Sequence, residues 1–106
     1  MTVVALSAQA RADLRDALDY RALYSDEAAI RLADAFDQGM ERLAQFPQGG
    51  SPREALGPEI RVLPLRSFRL NVFYHVLDGK ETIQVLVLRV LREERDVGPD
   101  DIEVGW

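Results

Sequence analysis

The spacing of apolar residues changes once along the chain, close to residue 60. Before that point apolar positions recur every three or four residues, which is the spacing of an amphipathic helix. One such stripe comprises Ala10, Leu14, Ala17 and Leu18, and a second comprises Ala29, Leu32, Ala33, Phe36, Met40, Leu43 and Ala44. Beyond it apolar and polar residues alternate, as they do in half-buried strands. The pattern therefore predicts two helices followed by a set of strands.

A serine marks the start of each predicted helix. Ser7 precedes a helix that begins near Ala8 and ends near Leu23, and Ser25 precedes a second helix that Pro47 closes. A serine side chain at this position accepts a hydrogen bond from a backbone N–H of the first turn. Because only about two residues separate the helices, they are expected to fold back on each other as an antiparallel hairpin.

Four segments have the composition of strands. They are Val3 to Leu6, "IRVLPL" from Ile60, "FRLNVFYHVL" from Phe68, and Thr82 to Leu91. The first segment is short and suits a sheet edge. Pro64 in the second segment favours a position at a sheet edge or at a bulge. The last is apolar on both faces and suits the centre of a sheet. The order β-α-α-β-β-β predicts an α+β fold, a helical hairpin packed on a small antiparallel sheet.

The length of 106 residues suits one domain, which we place at residues 1–97, followed by an acidic tail at 98–106. The absence of cysteine excludes disulfides and thiolate chemistry. No apolar run is long enough to span a bilayer, and the first residues lack the basic start of a signal peptide. We therefore expect a cytoplasmic protein without membrane contact.

Charge is unevenly distributed behind a net charge of −5. Residues 1–59 carry six arginines against ten acids, a net −4, and residues 60–92 carry five arginines and one lysine against two acids, a net +4. Residues 93–106 carry one arginine against six acids, a net −5. Binding to nucleic acid depends on basic side chains that neutralise phosphates. The acidic segments therefore argue against a protein that binds nucleic acid over its whole surface. A local cationic face on the middle segment remains compatible with this distribution.

Histidine and acidic residues, which often act in catalysis, are present but are not spaced as in known catalytic motifs. His75 is the only histidine and lies within a predicted strand, with no evident partners for a catalytic triad or a metal site. Glu93, Glu94 and Asp96 provide carboxylates, but the sequence around them does not indicate a pocket that would enclose them. The loop after the helices lacks the GK[ST] ending of a phosphate-binding loop. We expect no catalytic residue, no metal and no cofactor, and we interpret His75 as a partly exposed structural residue.

Arginines on the predicted strands are the remaining candidates for function. They are Arg61, Arg66, Arg69, Arg89, Arg92 and Arg95. If the strands pair as consecutive hairpins, several of these side chains converge on one side of the sheet. Arg69 and Arg89 each interrupt an apolar strand, and a buried charge is costly unless it is paired. Two interpretations stay open: contact with a binding partner, or pairing with an acid such as Glu93, Asp96 or an acid of the tail.

In order and spacing, these segments resemble the RelE/ParE superfamily of bacterial toxins, and the ParE branch more than the RelE branch. The resemblance runs from about Val3 to Val97. It rests on "LSAQARADLRDALDY" in the first helix, "FDQGMERLAQFPQGG" at the end of the second, and then "IRVLPLRSFRLNVFYHV" and "IQVLVLRVLREERD". No single string is diagnostic, whereas their order and spacing together are specific for the superfamily.

This resemblance implies the toxin of a type II toxin–antitoxin system, of the kind that arrests growth and stabilises plasmids. A ParD-like antitoxin encoded beside it would neutralise it, and operator DNA would be reached only through that antitoxin. ParE-like toxins inhibit DNA gyrase by protein binding rather than as enzymes. The six arginines are accordingly candidate contacts to the antitoxin or to the target.

The alternative is a RelE-like endoribonuclease that cleaves mRNA on the ribosome, using Arg61, Arg69 and Arg89. In that branch cleavage relies on a middle-strand arginine, matched here by Arg69, and on an arginine and a tyrosine near the C-terminus. Glu93 and Pro99 stand at about those last two positions. Without transition-state cations and a general base there, cleavage lacks its usual activation. A third hypothesis is a chain that binds its antitoxin but is no longer toxic.

Overall fold

A computed structural model describes residues 2–102 of the chain. Its elements are β1 (Thr2–Leu6), α1 (Ala8–Ala22), α2 (Asp26–Gln45), β2 (Ser51–Pro52), β3 (Ile60–Leu65), β4 (Leu70–Asp78) and β5 (Ile83–Arg92), with 3₁₀ turns at Glu54–Leu56, Arg66–Phe68 and Pro99–Asp101. The predicted α+β fold and the order of its main elements are confirmed. The two-residue strand β2 is additional, inside a loop predicted to be largely irregular.

The five strands form one mixed sheet in the order β1-β5-β4-β3-β2. β1 occupies an edge, as predicted, but pairs with β5 in parallel, whereas the other pairs are antiparallel. The prediction of a wholly antiparallel sheet is therefore wrong for this one pair. Parallel partners need a long crossover connection, which the helical hairpin helps to supply. The alternation of side chains along β1 is the same for parallel and antiparallel pairing, so the sequence pattern could not indicate the direction.

Serine caps fix the starts of both helices. The Ser7 Oγ accepts a hydrogen bond from the Ala10 N–H at 3.0 Å, and the Ser25 Oγ accepts one from the Ala28 N–H at 3.0 Å. The Ser7 hydroxyl also donates to the carbonyl of Leu88 at 3.0 Å. The first residue after β1 therefore ties the start of α1 to β5, which places this helix over the sheet.

Each face of the sheet carries its own apolar core. The helical face includes Ala10, Leu32, Phe36 and Leu43 together with Leu70, Val72, Tyr74, Val76, Val85, Val87 and Val90. The second face includes Ile60, Val62, Phe73, Leu86, Leu88, Leu91 and Ile102, with Leu56 and Val97 packed against them. The alternation predicted for β4 is thus confirmed. No helix among residues 2–102 is long and apolar enough to cross a membrane.

Candidate functional site

A groove of about 370 Å³ lies between α1 and the adjoining ends of β4 and β5. Apolar and aromatic side chains line part of it: Ala17, Tyr20, Phe68, Leu70, Val90 and Leu91. Charged side chains line the remainder: Asp13, Asp16, Arg21, Arg69, Arg92, Glu94 and Arg95. The groove therefore combines an apolar lining with four arginines, three of which were candidates from the sequence.

Arg69 sits in a left-handed backbone conformation with φ 54° and ψ 42°, directly before β4. Its N–H donates to the Arg66 carbonyl at 3.2 Å, and its own carbonyl accepts from the Glu93 N–H at 2.8 Å. The expectation that Arg69 interrupts a strand is wrong, because the strand begins one residue later. Its side chain is exposed and has no hydrogen-bonding or ion-pair partner among the described residues. The backbone thus holds an available guanidinium at the groove.

Arg66 and Arg92 are exposed near the same end of the sheet. Arg66 lies on the 3₁₀ turn that precedes Arg69, just outside the groove lining. The Arg92 Nε is 3.8 Å from the Glu94 Oε1, and their side chains are 78% and 63% exposed. An exposed ion pair at this separation contributes little free energy. Both arginines are therefore accessible to a partner.

Arg89 is held by α1 and by the C-terminal segment. Its Nε and Nη2 donate to the two carboxylate oxygens of Asp13 at 2.7 and 3.1 Å, and its Nη1 donates to the Asp101 carbonyl at 3.1 Å. The two side chains of the ion pair are only 16% and 15% exposed. Of the two interpretations left open by the sequence, the structure shows the paired one for Arg89. Within residues 2–102 the acid is Asp13 of α1, however, and not Glu93, Asp96 or an acid of the tail.

The position of Arg89 follows from the end of β1 and from a bulge in β5. The last residue of β1, Leu6, pairs with Val87, so the edge of β5 is open beyond that point. A register shift between Phe73 and Tyr74 places Leu88 as an extra residue. Asp13 then accepts a hydrogen bond from the Val90 N–H at 3.0 Å, satisfying a donor that β1 does not reach.

Arg95 is also engaged by the C-terminal segment. Its Nη2 donates to the Asp101 Oδ1 at 2.9 Å, and the other carboxylate oxygen of Asp101 accepts from the Gly98 N–H at 3.0 Å. The Gly98 N–H chiefly, with help from the charges of Arg95 and Arg89, lowers the pKa of Asp101 below its usual value. Arg95 therefore belongs both to the groove and to the contacts that fasten residues 98–102.

Arg61 lies away from the groove, at the start of β3. Its Nη1 donates to the carbonyls of Gln48 and Gly50 at 3.0 and 2.7 Å, which anchors the loop after α2. The Gly50 N–H donates to the hydroxyl of Tyr74 at 2.8 Å. Burial raises the pKa of Tyr74, although the Gly50 hydrogen bond and the Arg61 charge oppose this. Arg61 thus supports a loop, and the structure does not bring it together with the other candidates.

Two groove residues were missed in the sequence although their spacing pointed to them. Arg21 donates to the Phe68 carbonyl at 3.0 Å and lies 4.7 Å from the centre of the Phe68 ring. It continues the apolar stripe of α1, four residues after Ala17. Asp13 lies on the same stripe, three residues after Ala10. A charged residue on the core-facing stripe of a helix signals a group with polar partners. Asp13 is paired with Arg89, and Arg21 is hydrogen-bonded to the Phe68 carbonyl.

Catalytic chemistry receives no support from the histidine or from acidic clusters. His75 is half-buried within β4, opposite Ile60 and Leu86, and its buried Nδ1 has no hydrogen-bond partner among residues 2–102. Within the same residues no group of three or more histidine, aspartate or glutamate side chains is placed to hold a metal ion. The groove, in contrast, brings three of the candidate arginines together.

The sequence matches the family model described as "ParE toxin of type II toxin-antitoxin system, parDE" over residues 4–97. The chain belongs to the ParE toxin family. This confirms the resemblance recognised in the sequence, including the preference for the ParE branch. The groove, with Arg69, Arg92 and Arg95 at its charged lining, is thus a feature of a ParE-family toxin.

The fold is similar to that of a solved member of a ParDE system. A chain described as the chromosomal ParDE toxin–antitoxin system from P. aeruginosa is 27% identical to this ParE-family chain, with a TM-score of 0.68. The alignment covers 89% of this chain and 98% of that one. No curated protein sequence matches the chain. Family membership therefore rests on the family model and on the fold together.

Proposed function

We propose that this ParE-family toxin acts as a protein-binding inhibitor of DNA gyrase and that a ParD-like antitoxin neutralises it. The groove beside α1 is the observation that supports this most directly, because it pairs an apolar lining with accessible arginines. Such a surface suits an amphipathic protein segment that carries acidic side chains. Opposite charges also accelerate association of the two partners.

The state of the arginines argues against ribonuclease activity. Of the three that a RelE-like mechanism would use, Arg61 donates to loop carbonyls and Arg89 is paired with Asp13. Arg69 alone has an uncommitted guanidinium within the described residues. Stabilising the charge of a phosphodiester transition state requires preorganised donors converging on one point. The separation of Arg61 from the groove supports binding rather than catalysis.

Gyrase inhibition is tested with the purified toxin in a supercoiling assay, alongside induction in cells. We expect loss of supercoiling activity and growth arrest with a DNA-damage response. An early stop in translation, with messages cut at the ribosomal A site in primer extension, would instead establish the RelE-like activity. Normal growth during overexpression without antitoxin would support the hypothesis of a non-toxic, antitoxin-binding chain.

Antitoxin binding is tested by reversing charge at matched arginines. Arg66→Glu and Arg69→Glu are expected to weaken binding of the neighbouring antitoxin, measured by calorimetry, because both residues lie at or beside the groove. Arg53→Glu is the control, since Arg53 is exposed in the loop between β2 and β3, outside the groove lining. Equal losses of affinity for all three variants would contradict the placement of the antitoxin in the groove.

Contact with operator DNA is proposed to occur only through the antitoxin. The whole-chain charge of −5 opposes direct binding to phosphates. A mobility-shift assay with the operator and the toxin alone is expected to show no complex, whereas the antitoxin with or without the toxin should shift the DNA. A shift produced by the toxin alone would refute this part of the proposal.

A further inference from the structure

The last described segment of the chain, Val97–Ile102, closes the face of the sheet that the helices leave open. Ile102 is 7% exposed and belongs to the same apolar cluster as Phe73 and Leu88, and Val97 packs against that cluster. The segment contains one 3₁₀ turn and no strand. We call Val97–Ile102 the strap, because this short segment packs on the apolar core of the face opposite the helices.

The strap is fastened mainly through one residue, Asp101. The Asp101 carboxylate accepts hydrogen bonds from the Arg95 guanidinium and the Gly98 N–H, at 2.9 and 3.0 Å, and its carbonyl accepts one from Arg89 at 3.1 Å. Two further hydrogen bonds stay inside the turn, from the Asp101 N–H to Gly98 and from the Ile102 N–H to Pro99. Among residues 2–102, two arginines outside the strap therefore supply its polar attachment to the remainder of the fold.

Both arginines connect the strap to the groove. Arg95 lines the groove itself, and its side chain is 46% exposed. Arg89 holds Asp13, which lines the groove from α1. Arg95 is the weaker of the two connections, because a solvent-exposed ion pair is easily exchanged for another carboxylate. A carboxylate that enters the groove would meet Arg95 at the point where it holds Asp101.

We propose that the docking of the strap is adjustable, and that a carboxylate bound in the groove weakens it by taking Arg95 from Asp101. The proposal rests on the proposed function only in treating the groove as the site of an acidic partner. The two states differ in a specific contact, the Arg95–Asp101 ion pair, so binding in the groove and docking of the strap oppose each other. Such coupling is reciprocal: removing the strap's hold on Arg95 strengthens binding of the carboxylate.

The experiment uses the full chain and follows amide hydrogen exchange by NMR at Gly98 and Ile102, two strap donors with defined acceptors. Arg95→Gln removes the charge that a partner would compete for, and we expect exchange at both amides to rise about two- to fivefold, the effect of losing one exposed ion pair. Asp101→Asn, which also replaces a charge-assisted acceptor, should raise it about tenfold. Local opening of this kind leaves the exchange of core amides unchanged.

Arg92→Gln is the matched control, since Arg92 lines the same groove but faces Glu94 rather than the strap. It should leave exchange at Gly98 and Ile102 unchanged. Unchanged strap exchange in Arg95→Gln and Asp101→Asn would overturn the proposal, and so would an equal rise in Arg92→Gln. Unchanged exchange at Leu43, in the core of α2, shows that the variants remain folded.

The coupling itself is tested by adding a hexaglutamate peptide to the wild-type chain. We expect shifts of the Arg69 and Arg92 amides together with faster exchange at Gly98, and tighter binding of the peptide to Asp101→Asn. Shifts in the groove without a change at Gly98 would overturn the coupling, as would a peptide that leaves the groove amides unmoved. Gyrase inhibition and antitoxin neutralisation are measured separately, so a failure there is distinguishable from a failure of the strap.

Discussion

Asp13 joins α1 to β5 through three hydrogen bonds, two from the Arg89 guanidinium at 2.7 and 3.1 Å and one from the Val90 N–H at 3.0 Å. Both side chains are largely withdrawn from solvent. Removing one partner of such a pair leaves a desolvated charge with too few hydrogen bonds. The ion pair therefore fixes the helix that forms one wall of the groove.

Arg89→Ala should lower the free energy of unfolding by about 2–4 kcal/mol, because among the described residues Asp13 would keep only the Val90 hydrogen bond. Urea denaturation measures the loss. Arg31→Ala is the control, since Arg31 pairs with Glu27 one helical turn away with side chains 66% and 76% exposed. That pair should contribute about 0.5 kcal/mol or less. Similar losses in the two variants would show that the Arg89 pair is not a structural anchor.

Gly50→Ala should destabilise the protein by about 1–3 kcal/mol, the usual cost of overpacking. A Cβ at this position would lie 2.5 Å from the Tyr74 hydroxyl oxygen and 2.7 Å from the Val62 carbonyl oxygen. Thermal unfolding gives the comparison with Gly98→Ala, where no heavy atom lies within 4 Å of the new Cβ. A Gly50 variant as stable as the Gly98 variant would mean that the loop moves away from Tyr74 without cost.

Arg69→Gly should separate stability from binding. Glycine adopts a positive φ without steric cost, so the free energy of unfolding should stay constant or rise by up to about 1 kcal/mol. Loss of the guanidinium should nevertheless weaken binding of an acidic partner in calorimetry. Arg66→Gly, one turn away at an ordinary backbone conformation, should instead lose about 0.5–1 kcal/mol. If Arg69→Gly binds the acidic partner as tightly as the wild-type chain does, Arg69 is not part of the binding site.

The strap should open more often on acidification. The pKa of Asp101 lies below the ordinary 3.8 because of the Gly98 N–H and the charges of Arg95 and Arg89, while Asp13 faces Arg89 from α1. A carboxylate with a lowered folded pKa stabilises the fold fully above the ordinary value. That stabilisation is lost as the pH falls through the folded pKa. Exchange at Gly98 should therefore be constant between pH 5 and pH 7 after correction for intrinsic rates, and should rise below about pH 4. In Asp101→Asn this acid-dependent rise should be absent.

Local signals in the sequence were sufficient for most of the fold. Ser7 and Ser25 indicated where the two helices begin. The alternation of apolar and polar residues in β4 indicated which side chains lie on each face of the sheet. The partner of β1 was not predictable, because side-chain alternation does not encode the direction of pairing. The backbone of Arg69 was also unpredictable, since a positive φ at a residue other than glycine depends on the turn and strand around it.

The candidate site was predictable only as a group of residue types. Arg69, Arg92 and Arg95 do meet at the groove, whereas Arg61 and Arg89 turn out to fasten other parts of the chain. Which arginine is committed depends on acceptors distant in sequence, such as Asp13, 76 residues before Arg89. Composition and spacing along the chain carry no information on such pairs.

The two edges of the sheet are unequal. The edge formed by β1 contains neither proline nor charge, while the opposite edge contains Pro52 and Pro64, which lack a backbone donor. Two copies of the chain that joined through β1 would present only proline-containing edges on the outside. Proline lacks a backbone donor, so these outer edges would disfavour the addition of a third molecule by edge pairing.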